Sequence, residues 1–158
     1  MFTLGEIIDL AVRIENNGEN TYRKAQEEVS SPELASMLRD LADDEAEHER
    51  WFAEFRKDMD KEIRDPGMEE MGRSILQGVL GDQAFSMNDA DFSKIDNVKD
   101  LLELSLEFEK DTIIFYEMIR EFIGDKAVHS GIEKIIDEEI RHVKRLEKLL
   151  AEDFKAEG

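Results

Sequence analysis

Asp44-Glu45-Ala46-Glu47-His48 is the stretch on which the reading of this chain turns. On a helix, Glu45 and His48 are three residues apart, so they share one face on adjacent turns, and a carboxylate and an imidazole placed this way can reach one common point. A single Glu-x-x-His step carries little weight in a chain with 40 acidic residues among 158. Its weight comes from Glu138-Glu139-Ile140-Arg141-His142, which repeats the step 94 residues later. The same offset lays Glu15 on Glu109 and Tyr22 on Tyr116, while most other aligned positions keep only apolar character or nothing. The coincident identities are polar.

Working outward, the pattern predicts an all-α chain of two helix pairs. The only prolines, Pro32 and Pro66, stand where helical periodicity breaks. Thr3-Leu4-Gly5-Glu6 fits a capping box that opens helix 1, which is expected to run to about Glu28. Ser30-Ser31-Pro32 then supplies a turn, a capping hydroxyl and a proline at the first helical position, and helix 2 is expected to reach about Ile63. Residues 64–96 differ in texture, with Gly67, Gly72, Gly78, Gly81 and a polar run at 86–91, and read as a long crossover holding a short amphipathic helix around Glu69 to Leu80. Helix 3 is expected from about Asn97 to Ile123, Gly124 is a natural stop, and helix 4 follows from about Lys126 to Asp153. Strand-like alternation is absent. The expected organisation is one domain over 1–158, with helix pairs at 3–63 and 97–154.

Alternating four- and three-residue steps, the register of packed antiparallel helices, select one seam per helix. They pass through Glu15, Gly18 and Tyr22 in helix 1 and through Glu45 and His48 in helix 2. In helix 3 they pass through Glu109, Thr112 and Tyr116, and in helix 4 through Glu139 and His142. Glu15 and Glu45 are equidistant from residue 30, and Glu109 and Glu139 from Gly124. Each carboxylate pair therefore lies at one level, about 22 Å from its turn at about 1.5 Å per residue. Four glutamates and two histidines converge on one layer of the core.

Four carboxylates buried together lose hydration and repel one another, a conflict that protons, water or cations must relieve. Two divalent ions would balance four ionised glutamates, with neutral imidazoles as nitrogen ligands. Glu15, Glu45, His48, Glu109, Glu139 and His142 are thus the expected metal ligands. Tyr22 and Tyr116 lie two turns from Glu15 and Glu109, either as core tyrosines or as hydroxyls that orient a carboxylate or supply an electron. Gly18 either leaves room beside the metals or allows close helix packing, since a mid-helix glycine costs about 1 kcal/mol relative to alanine. Glu19 and Glu138 lie near the seam without matched partners and are read as solvated or as neighbours of the ligands. His129 is expected at the surface, and Trp51 in packing.

Composition narrows the classes. A formal net charge of −19 argues against nucleic acid or an anionic membrane as the main partner. Hydrophobic residues make up 41% of the chain, enough for one packed core. Without cysteine there is no disulfide, thiolate metal site or cysteine nucleophile, so a metal must be held by oxygen and imidazole. The N-terminal residues reach acids too soon for a signal peptide, and no stretch approaches the apolar length of a membrane span. A soluble, cytoplasmic protein is expected.

With these residues in place, the sequence resembles the rubrerythrin-like branch of the ferritin-like di-iron carboxylate superfamily, without the usual rubredoxin domain. The carriers are Ile14-Glu15 with Tyr22, Asp44 to His48, Phe108-Glu109 with Tyr116, and Glu138 to His142. The resemblance implies a ferritin-like antiparallel four-helix bundle with a long crossover between helices 2 and 3. It also implies two irons on the six ligands, bridged by Glu45 and Glu139, and reduction of hydrogen peroxide to water. Two departures matter. The familiar family pattern has a further glutamate where this chain has Thr112, which bears on redox-linked ligand exchange, and the lack of cysteine calls for a separate electron-donor protein.

Bacterioferritin has a similar ligand set, so a ferroxidase or iron-handling role using dioxygen is the second reading. Only sixteen residues follow His142, which is short for the fifth helix of a storage cage. A third reading is a helical interaction module whose metals hold the bundle together. Manganese or a mixed pair suits the same donors. A homodimer, through bundle faces or the crossover, is expected.

Overall fold

The computed structural model describes residues 4–59 and 98–152. They form four helices, α1 (Leu4–Glu28), α2 (Pro32–Met59), α3 (Val98–Phe122) and α4 (Lys126–Glu152), and no strand among the described residues. The helix ends fall within a few residues of the expected ones, except that Thr3, the end of helix 2 beyond Met59, the crossover 64–96 and the short helix around Glu69 to Leu80 lie outside the described residues. No described helix is long and apolar enough to cross a membrane.

The first turn is built as the residues suggest. Ser31 Oγ accepts from the Leu34 amide at 3.3 Å, and its carbonyl accepts from the Ala35 amide at 2.9 Å, with Pro32 at the first helical position. The second turn differs in its chemistry. No described glycine has a positive φ, so Gly124 does not close α3 with a left-handed cap. Instead the last turn tightens, the Ile123 amide donating to the Arg120 carbonyl at 3.3 Å. Asp125 then opens α4, its Oδ1 accepting from the amides of Ala127 and Val128 at 2.8 and 3.1 Å.

Directions follow from the side-chain pairs. Across α1 and α2, Asp9 meets Arg56, Asn16 meets Glu49 and Asp43 meets Arg23, so the two helices are antiparallel. Across α1 and α3, Tyr116 bonds Glu15 while Tyr22 bonds Glu109, and across α2 and α4, His48 bonds Glu139 while His142 bonds Glu45. Both of these pairs are antiparallel too. Consequently α2 and α3 run the same way on the diagonal, and no hairpin can join them. This is the ferritin-like arrangement.

The seam residues are buried as a set, and the core is layered along the bundle axis. One apolar cluster gathers Ile7, Ile8, Phe52, Phe115, Ile119 and Ile132 at the end where α1 begins. Another gathers Ala25, Leu38, Leu41, Leu102, Leu146 and Leu149 at the α1–α2 turn end. Between them lies the polar layer. Apolar burial at about 25 cal/mol per Å2 holds the helices together from both ends, which lets the middle carry groups that would not hold themselves there.

Candidate metal centre

Each of the six expected ligands is buried: Glu15 and Glu139 have no measurable exposure, and Glu45, His48, Glu109 and His142 are at most 3% exposed. The structure brings them together in two groups, Glu15, Glu45, His48 and Glu139, and Glu45, Glu109, Glu139 and His142. Within each group one donor atom per residue lies within 4.8 Å of the others. Glu45 and Glu139 belong to both, as two shared carboxylates between two sites would.

The imidazoles fix the polarity of the layer. His48 Nδ1 faces inward, 2.7 Å from Glu139 Oε1 and 3.5 Å from Glu15 Oε2, while its Nε2 faces outward, 2.5 Å from Glu138 Oε2. His142 does the same in the other half. Its Nδ1 is 3.2 Å from Glu45 Oε1, 3.4 Å from Glu139 Oε2 and 3.6 Å from Glu109 Oε1, and its Nε2 is 3.0 Å from Asp44 Oδ2. The inner nitrogens face the ligand groups and the outer ones donate to carboxylates, the arrangement that orients a metal-binding imidazole.

The seam spacing selects neither Asp44 nor Glu138, and on the seam Glu138 has no matched partner. They are each other's counterparts, 94 residues apart, one residue before each shared glutamate. The offset carried the signal; the outward direction of the side chains off the seam hid it. Glu19 instead pairs with Arg23 at 2.7 Å. His129 is partly exposed and pairs with Glu133 at 3.9 Å, and Trp51 packs on Phe52 and Phe55, as expected.

Both tyrosine hydroxyls reach carboxylates of the layer. Tyr22 Oη donates to Glu109 Oε1 at 2.6 Å, and Tyr116 Oη to Glu15 Oε1 at 2.5 Å, each reaching across from α1 to α3 or back. Burial, and then the nearby glutamates, push both phenols well above their ordinary pKa, so each stays a donor. Gly18 faces the layer as well, since a Cβ there would stand 3.3 Å from Glu45 Cδ.

Without a cation the layer is governed by protons. Burial and the charges of Glu109, Glu139 and Glu15 hold Glu45 well above the carboxylate range, and burial with Glu109 and Glu15 pushes Glu139 up to about 8. Burial opposes charge on the imidazoles, but bonds to carboxylates outweigh it, raising His48 to about 11 and His142 further. Glu109 goes the other way: burial raises it, while bonds from Glu139 and His142 outweigh that and hold it low. Protons on both imidazoles, Glu45 and Glu139 therefore neutralise the layer. Glu15 Oε2 and Glu139 Oε2 remain buried without a hydrogen-bond partner. Oxygens of this kind, beside inward imidazole nitrogens, fit divalent transition-metal ions.

Paired Glu-x-x-His helices with two further carboxylates define the ferritin-like class of dinuclear carboxylate proteins. The structure is similar to that of a ferritin-like diiron-carboxylate protein from Thermotoga maritima, with a TM-score of 0.73 over 96% of this chain and 97% of that one, at 21% identity. A family model for rubrerythrin matches residues 6–150, and the chain belongs to the rubrerythrin family. No curated protein matches it.

Proposed function

We propose that this chain is a di-iron oxidoreductase of the cytoplasm that reduces hydrogen peroxide to water, with electrons from a separate donor protein. The observation that carries the reading is the pair of four-residue groups sharing Glu45 and Glu139. Glu15, Glu45, His48, Glu109, Glu139 and His142 would hold the two ions. Bound ferrous ions would supply one electron each and a Lewis-acidic surface for an oxygen ligand.

The protein's own residues account for the rest. The overall change consumes one peroxide, two electrons and two protons and forms two waters. Glu45 and Glu139 would be ionised when they hold the ions, and a carboxylate that loosens could take up and return a proton. Tyr22 and Tyr116 fix one oxygen each of Glu109 and Glu15. Asp44 and Glu138 hold the imidazoles by Nε2, leaving Nδ1 as the ligand atom. The two apolar clusters exclude bulk water from above and below. The external donor and a homodimer are parts of the same proposal.

The deciding experiment is anaerobic loading with two ferrous ions per chain, followed by stopped-flow oxidation with peroxide and with dioxygen. Faster oxidation by peroxide is expected. Faster oxidation by dioxygen, with iron uptake far beyond two per chain, would replace this reading with a ferroxidase, and failure to bind two irons would return the site to manganese or to a structural role.

A further inference from the structure

Five buried hydroxyls lie among the described residues, and four of them have a partner. Thr21 and Ser105 donate to the carbonyls of Asn17 and Leu101, four residues back, at 2.8 Å each, and the two tyrosines donate to glutamates. Thr112, only 2% exposed, does not: its Oγ1 has no hydrogen-bond partner. A buried threonine on a helix ordinarily satisfies itself on the preceding turn, so a hydroxyl that forgoes this costs stability in the empty protein.

Its position gives the hydroxyl a use. The Glu15–Tyr116 and Tyr22–Glu109 bonds pin α1 against α3, and Gly18 and Thr112 lie between those bonds, three residues beyond Glu15 and Glu109. The register of those two bonds sets them at about one level of the bundle, and they are also counterparts across the 94-residue offset. Gly18 looks onto the shared carboxylate Glu45, at 3.3 Å from a would-be Cβ. By the 94-residue offset Thr112 is the counterpart of Gly18 and Glu139 that of Glu45, and the Oε2 of Glu139 also lacks a hydrogen-bond partner. A cation satisfies a carboxylate oxygen but gives nothing to a hydroxyl proton. That proton needs an acceptor that arrives with the ligand.

We propose that small oxygen- or nitrogen-bearing ligands of the dinuclear centre, peroxide among them, bind on the α1–α3 side between Gly18 and Thr112, with Thr112 Oγ1 as their hydrogen-bond donor. Glycine on one wall leaves the room, and threonine on the other supplies the donor. The two halves of the site are unequal at this position. The inference rests on the di-iron reading and adds the residue that contacts the substrate.

The test uses azide, a small anion read optically on ferric protein, so that it does not depend on turnover. Thr112→Val, which keeps the shape and removes the hydroxyl, should retain two irons per chain and weaken azide about tenfold, the value of one hydrogen bond to a charged ligand. Thr112→Ser should restore azide affinity to within about twofold of wild type. The metal-free Thr112→Val protein should melt no lower than wild type, because the lost hydroxyl had no partner. Two irons with unchanged azide affinity in Thr112→Val would overturn this inference alone. Wild-type protein that does not hold two irons would overturn the di-iron reading, and this inference with it.

Discussion

Asp44 and Glu138 perform the same task from different surroundings. The Asp44 side chain is 40% exposed, whereas that of Glu138 is 18% exposed and lies within 4.0 Å of Lys134 and Arg141. The bond to His142 holds Asp44 below the usual carboxylate range, so it stays an acceptor for the imidazole. Removing such a partner leaves the ring free to turn and its Nε2 proton without an acceptor, which costs about 10–100-fold in metal affinity. Water can replace Asp44 more readily than Glu138. Glu138→Ala should therefore weaken metal binding more than Asp44→Ala, each within that range, as read by competition with a chelator; equal, unchanged affinities would show that the rings are held by packing alone. The convergence of the six inner residues was legible in the sequence because a carboxylate on an apolar seam is conspicuous. The outer pair was not, because one more acid on an acidic, half-exposed face looks like solvated charge.

At the scale of the helix, the boundaries were legible where side chains make them and less so where the backbone does. Ser31 and Pro32 act through fixed chemistry, so the start of α2 followed from residue types. Gly124 invited a left-handed cap, but the closing of α3 is a tightened turn handed on to Asp125, a competition between two stops that composition does not rank. Glycine within a helix is another such case. Gly131 in α4 costs helix propensity, yet a Cβ there would press into the Trp51 indole of α2, within 2.8 Å of Cε2. Trp51 is wedged against Phe52 and Phe55 and cannot swing away freely. Overpacking of about 1–3 kcal/mol should exceed the gain of about 1 kcal/mol from propensity. Gly131→Ala is thus expected to destabilise the protein in urea denaturation, whereas Gly5→Ala, whose nearest neighbours would be atoms of the flexible Arg56 guanidinium, should not. Stabilisation by Gly131→Ala would show that the α2–α4 contact at Trp51 gives way.

For the whole molecule, the polar layer makes stability a matter of which cations fill it. In the metal-free protein four protons, on His48, His142, Glu45 and Glu139, play the part that two divalent ions would play with the same total charge. All four groups have raised pKa values in the fold, so each contribution is complete below the unfolded pKa and is lost as pH rises through the folded one. For Glu139 that window runs from 4.5 to about 8, and for His48 from 6.5 to about 11. Glu109 and Asp44, both lowered, act oppositely and only in acid, where their contribution disappears as pH falls. Metal-free protein should therefore lose stability steadily from pH 5 to pH 9, by about 1.4 kcal/mol per pH unit for each proton by which the folded state exceeds the unfolded one. Metal binding must expel the protons it replaces, so affinity should rise over the same interval. Loading two divalent ions near pH 7 should release close to four protons per chain, measurable by calorimetry in buffers of different ionisation enthalpy. Release of fewer than two protons, or a melting temperature that does not change between pH 5 and pH 9 without metal, would mean that water rather than protons relieves the four carboxylates. The layer would then be an open polar channel through the bundle, and the two apolar clusters would no longer be what keeps solvent from the site.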